Sequence, residues 1–243
     1  LYQWGRKDPF PSAPSLTGNE KTQPVPVYGP DGAEVKITYS LWSSVENNTI
    51  EYSIANPTKC LSNYAQYNTS RDWLKASDSN DALWGNPKGG ERNSDNNYVN
   101  KGSKSFYDPC PVGYRVPPAD VFRTFTTTGG YTQDPSSFDV VDVNGDGVID
   151  TRDYNYGWSF NMKEGSLFFP AAARYDGSYA MLMGSKSGLW GSYWGNSPAK
   201  SYGATTGFGF CVLAFMNEAA GTSVSATASA GRADAYSVRC VKE

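Results

Sequence analysis

The chain contains no histidine in 243 residues. That removes the usual general base of Ser and Cys nucleophiles, so Ser–His and Cys–His catalysis are excluded. It also removes the commonest nitrogen ligand of zinc. None of the four cysteines (Cys60, Cys110, Cys211, Cys240) forms a C-x-x-C pair, so no zinc site is expected. Charge is scarce as well: 19% of residues are charged and the net charge is −3. No Lys/Arg cluster supplies the basic face that nucleic acid requires, which excludes that partner. No apolar run reaches the roughly 18 residues of a transmembrane helix. Helix signals are nearly absent. Only residues 117–125 carry one, with Pro118 at a first turn and Val121, Phe122 and Phe125 at helical spacing. Nothing reads as an inter-domain linker, so one domain over 1–243 is expected.

What the chain has is 25 Gly, 17 Tyr and 7 Trp among many Ser, Thr and Asn, a mixture suited to short strands joined by turns. Alternation predicts strands at 1–4, in a hairpin over 25–42 with its turn at Gly29-Pro30-Asp31-Gly32, and in an extended segment where Ile50, Tyr52 and Ile54 share one face. Further strands are expected at 157–160, 165–170, 174–179, 189–194, 209–215 and 235–241, with a polar loop over 126–139. Residues 56–100 read as irregular, and buried aromatics would have to pin them. The expected class is α+β, mostly short antiparallel strands with one or two short helices. Residues 1–4 already alternate like a strand, so further sequence is expected upstream.

One stretch carries a chemical reason. Residues 142–153 read DVNGDGVIDTRD, with side-chain oxygens at loop positions 1, 3, 5, 9 and 12: Asp142, Asn144, Asp146, Asp150 and Asp153. Gly147 stands at position 6, Val148 offers its carbonyl at 7, and Ile149 is placed to anchor the loop to the core. This is the pattern of an EF-hand-type calcium loop, because calcium needs six to eight hard oxygens converging on one point. Position 12 is Asp, with a shorter arm than Glu, as in dockerin loops. The flanks are not two amphipathic helices. One structural calcium is therefore expected in an insertion at about 139–154, not a sensor pair.

Four cysteines allow three pairings, and an oxidising, extracytoplasmic setting is the better reading. The expected bond is Cys110–Cys240, joining 108–125 to the end of the chain. Cys60 and Cys211 are left open between a second bond and buried free thiols. Candidate ligand contacts are aromatics expected to be exposed in the irregular regions, Trp73, Trp84, Tyr193 and Trp194, since flat rings stack on sugars and anchor protein interfaces. The competing role for each is core, because a fold with little helix must bury aromatics to hold its loops.

Several ordered motifs together resemble a known family: YQWGRKDPF from Tyr2, SIANP from Ser53, DWL from Asp72, LWG from Leu83, YDPCPVGYRVP from Tyr107, LFFPAA from Leu167, WGSYW from Trp190 and SVRCV from Ser237. They are similar to the Fibrobacter succinogenes major paralogous domain of Bacteroidetes surface lipoproteins and fimbrillin-like adhesins. The resemblance implies a C-type-lectin-like fold, distantly related to the formylglycine-generating enzyme, an extracellular location on the bacterial outer-membrane surface, and upstream domains. The enzyme's closely spaced copper-binding cysteines are not matched, since Cys211 and Cys240 lie far apart in sequence. Lectin calcium motifs are not matched either; Trp194-Gly195-Asn196 lacks the following Asp. Paired-carboxylate glycoside hydrolysis is possible by residue type, yet the acids fall in loops that metal binding explains better. The expected function is a non-catalytic adhesion or binding domain with structural calcium, monomeric in isolation, taking a glycan or protein ligand on a host or neighbouring cell. The alternatives are a carbohydrate-binding module of a glycan-uptake system or a structural cap for a pilus or stalk.

Overall fold

The computed structural model describes residues 1–17, 24–40, 49–62, 72–75, 82–85, 103–177, 181–199, 209–218 and 221–243. The chain starts with β1 (Tyr2–Gln3) and a hairpin of β2 (Val27–Tyr28) and β3 (Glu34–Val35). The expected turn closes that hairpin: Gly29 N–H donates to the Ala33 carbonyl and Gly32 N–H to the Gly29 carbonyl. Its second arm does not run on as one strand. β4 (Thr38–Ser40) leaves it and pairs in parallel with β5 (Lys59–Leu61).

Between β4 and β5 lies a correction. Helix α1 (Ile50–Ala55) replaces the extended segment expected there. Local capping overrides the period-two pattern, because the Thr49 hydroxyl accepts the Tyr52 N–H at 3.1 Å and Glu51 occupies the first turn. Ile54 is left exposed as a result. The far end of the helix is held by Arg6, which is 2% exposed and donates to the carbonyls of Ser53, Asn56, Pro57 and Lys59. A cation there meets the partial negative charge of the helix end and its orphan carbonyls.

β6 (Tyr114–Arg115) precedes the helical turn foreseen near 117–125, which runs Ala119–Phe125 and is a 3₁₀ helix. The expected polar loop that follows contains β7 (Tyr131–Thr132). β8 (Gly157–Asn161) and β9 (Ser166–Pro170) form a hairpin of five facing pairs. Then come β10 (Tyr175–Asp176) and β11 (Met181–Leu182), and three long strands: β12 (Trp190–Ala199), β13 (Gly209–Glu218) and β14 (Gly221–Gly231). The end of the chain was expected as one strand. It divides into β15 (Ala235–Tyr236), which pairs with β1 and β10, and β16 (Val241–Lys242), which pairs with β6. Between them Ser237 accepts from the Trp194 N–H of β12 at 2.9 Å.

Two four-stranded antiparallel sheets result, in the orders β12-β13-β14-β7 and β1-β15-β10-β11. The architecture is α+β, dominated by short antiparallel strands. Aromatic side chains fill three buried clusters. The first gathers Trp4, Trp73, Trp84, Trp194 and Tyr236 around the Cys110 region. The second stacks Phe125 on Phe160 at 4.3 Å and sits between the β8–β9 hairpin and one face of the long sheet, through Tyr193, Phe215 and Val224. The third joins Phe10 to Tyr175 near Cys60. Gly191 explains how β12 lies so close to the second cluster: a Cβ there would meet the Phe215 ring at 2.1 Å.

Candidate functional site

The calcium-type loop begins one hydrogen bond beyond the second cluster. Val140 bridges to Phe160, and Ile149 and Tyr154 pack on that cluster from the loop itself. Within the loop the side chains turn inward on the backbone. Asp142 Oδ1 accepts the Gly145 N–H at 2.7 Å and its Oδ2 the Gly147 N–H at 2.7 Å. Asn144 Oδ1 accepts from Asp146 N–H at 2.9 Å, and Asp146 Oδ1 from Val148 N–H at 2.9 Å. Gly145 and Gly147 both adopt positive φ, at 73° and 79°, where a Cβ would strain the curl. Asp153 is 3% exposed and closes the loop: Oδ1 accepts the Val143 N–H at 2.8 Å and Oδ2 the Asp150 N–H at 3.0 Å. Asp150 caps the short 3₁₀ turn Thr151–Asp153.

The donor set suits a hard cation, with three carboxylates and an amide oxygen in one tight coil plus the buried Asp153. Among the described residues, however, no three acidic or thiol side chains converge as a ready metal cluster. Arg152 is the cation these acids meet. Its guanidinium reaches Asp146 at 2.7 Å and Asp150 at 2.6 Å, so an internal cation draws those two carboxylates together. The Arg152 hydrogen bonds hold the Asp150 carboxyl below the usual carboxylate range, and the same contacts raise the pKa of Arg152. The Arg152 side chain is 60% exposed. A lone Arg inside a run of acids was the available sequence signal for this counter-ion.

The cysteines resolve clearly. Cys110 and Cys240 are bonded across a sequence separation of 130, with Cα atoms 5.8 Å apart. Asp108 organises the approach, accepting the Cys110 N–H at 2.8 Å and the Val116 N–H at 2.9 Å. Cys60 is a buried free thiol, and burial pushes its pKa up to about 12. That leaves no Cys60–Cys211 bond. Cys211 lies on β13 opposite Ser229.

The four aromatic ligand candidates are not at the surface. Trp73 is 1%, Trp84 0%, Tyr193 3% and Trp194 0% exposed. Their polar atoms are spent on the backbone: Trp73 Nε1 donates to the Trp4 carbonyl, Trp84 Nε1 to that of Arg6, Trp194 Nε1 to that of Tyr2, and Tyr193 OH to that of Pro170. They serve the core, the role set beside binding in the sequence. Among the described residues no helix is long and apolar enough to cross a membrane. Comparison with protein-family models, with curated proteins and with solved structures finds no match to this chain.

Proposed function

We propose that the chain is a non-catalytic binding domain of a bacterial outer-membrane surface protein, with a C-type-lectin-like fold and one structural calcium in residues 142–153. The observation that carries the surface location is the Cys110–Cys240 bond, which ties residue 240 to the middle of the chain and is of a kind that forms and persists in oxidising compartments. The motif resemblance, the inward-turned loop oxygens and the aromatic-filled core support the same reading. The calcium would be held by Asp142, Asn144, Asp146, the Val148 carbonyl, Asp150 and Asp153. It would lock the loop against the second cluster. The chain's own part is to curl the loop, through the backbone contacts of Asp142 and Asp153, and to supply an internal cation, Arg152, until calcium enters.

Adhesion is tested by applying the purified, disulfide-intact chain to a glycan array and to host-cell surfaces in calcium buffer. Selective retention on either surface is expected. Loss of retention after the surface is treated with protease, or with glycosidases, tells a protein ligand from a glycan. No retention on any surface sinks the adhesion reading and leaves the pilus or stalk cap.

A further inference from the structure

The outer face of the long sheet carries a cleft of about 330 Å³, within the size range of small-molecule sites. Strand register builds it. Ser192 of β12 faces Ala214 of β13, which faces Ser225 of β14, which faces Tyr131 of β7. The adjacent row is Trp190, Met216 and Ser223. Directly paired residues share a sheet face, so these two rows form one floor of small hydroxyl-bearing and apolar side chains. Trp190 stands at one end, with the Arg174 guanidinium 5.1 Å from its ring. Tyr131, 59% exposed, stands at the other.

Three hydroxyls and two N–H groups of the residues lining this cleft have no partner among the described residues. Ser192 and Ser223 are only 7% and 6% exposed, and neither their hydroxyls nor that of Ser225 bond to another described residue. The buried Nε1 of Trp190 and Nε of Arg174 have no hydrogen-bond partner either. Unmet polar atoms are rare in buried positions, and two of them, Trp190 Nε1 and Arg174 Nε, belong to residues lining this cleft. The charges, in contrast, are already met. Arg174 faces Asp176 at 3.5 Å and donates to Tyr236 OH at 3.4 Å, and Lys186 beside Trp190 pairs with Glu218 at 2.5 Å.

From this we infer that the cleft binds one uncharged pyranose unit of a glycan, an inference that rests on the reading of the chain as a binding domain. A sugar ring presents apolar C–H faces to aromatic walls and hydroxyls to Ser and N–H groups. With both cations compensated, no free positive charge remains to favour a sugar acid.

The test uses the full disulfide-bonded chain titrated with methyl glucoside, galactoside, mannoside and N-acetylglucosaminide. Glucuronic acid and an aromatic peptide are run beside them, followed by saturation-transfer NMR. Saturable binding of at least one neutral pyranoside is expected. Tyr131→Ala should weaken it by about tenfold, as loss of one ring wall. Ser192→Val with Ser223→Val should weaken it by about tenfold or more, as loss of two hydrogen bonds. Both variants alter the cleft alone, and an unchanged melting temperature confirms folding; should the serine pair not fold, Tyr131→Ala decides. Stronger binding of glucuronic acid or of the peptide overturns the proposal. Pyranoside binding that both variants leave intact overturns the cleft while the binding-domain reading stands. Absence of pyranoside binding alongside retention on protease-sensitive cell surfaces does the same.

Discussion

Arg6 has no acidic partner in contact among the described residues, yet its guanidinium is nearly enclosed and its two terminal nitrogens donate to four backbone carbonyls and the Gln3 side chain. Burial lowers its pKa to about 10, which leaves it charged at neutral pH. Truncation would strand those carbonyls without water. Arg6→Ala is therefore expected to cost about 3 kcal/mol, at the upper end for bonds to a charged group, and Arg6→Lys most of that, because an ammonium cannot span the fork. Chemical denaturation measures both; a loss below about 1 kcal/mol for Arg6→Ala contradicts the account. Asp234 is the opposite case. Its carboxylate accepts the Gly177 N–H at 2.7 Å and the Tyr236 hydroxyl at 3.0 Å, but desolvation dominates and raises its pKa. A raised carboxylate pKa means the folded state holds its proton longer than the unfolded one. Stability from this group is then greatest below the ordinary carboxylate pKa near 4 and declines as pH rises above it. The melting temperature of the native chain should fall relative to Asp234→Asn between about pH 4 and pH 7. A constant difference across that range would show that the group does not titrate this way.

At the scale of elements, the calcium-type loop and the β8–β9 hairpin behave as one unit. The Val141 N–H donates to the Ser159 carbonyl at 2.8 Å and the Asn161 N–H to that of Asp139 at 2.9 Å, so whatever orders the loop also steadies the hairpin. Chelation with EGTA is expected to expose 139–154 to protease and to lower stability by about 1–3 kcal/mol, as for loss of a ligand at many times its dissociation constant. Asp142→Asn with Asp146→Asn should abolish the response to calcium. Equal cleavage with and without EGTA would remove the metal from the account. The loop itself was legible from its spacing, because alternate oxygens and Gly147 are local requirements. Its internal counter-ion was not, since Arg152 meets Asp146 only after the loop has curled. Helix α1 shows the reverse limit. Three apolar residues at spacing two made residues 50–54 read as extended, and the Thr49 cap with Arg6 prevailed in the fold. β14 was missed because GTSVSATASAG has no bulky apolar run, although Val224 and Ala226 alternate onto the buried face.

For the whole molecule, the Cys110–Cys240 bond does what no local element can. It closes a loop of 130 residues that contains the calcium-type loop, the long sheet and the cleft. In the chain-entropy view such a closure is worth about 5 kcal/mol, and measured losses on removal run at about 2–5 kcal/mol. Cys110→Ala with Cys240→Ala should fall in that range by denaturant unfolding. The buried Cys60 thiol should stay unreactive towards maleimide in the native protein, because burial holds it protonated. A change under about 1 kcal/mol would mean that the sheets hold the two ends together unaided.

The sequence by itself determined the absence of histidine chemistry, the short-strand α+β class, the oxygen spacing of residues 142–153 and the stock of cysteines. These depend on residue identity and on neighbours a few positions apart. Tertiary structure alone decided that Trp73, Trp84, Tyr193 and Trp194 are core, that Arg6 serves as a backbone clamp, and that Ser192, Ser225 and Tyr131 lie in one row. Burial and cross-strand register depend on pairs more than twenty positions apart in the chain, such as Ser192 with Ala214 and Ser225 with Tyr131. No local pattern carries that information, because the partner that covers a ring or lies opposite a hydroxyl is chosen only when the strands meet.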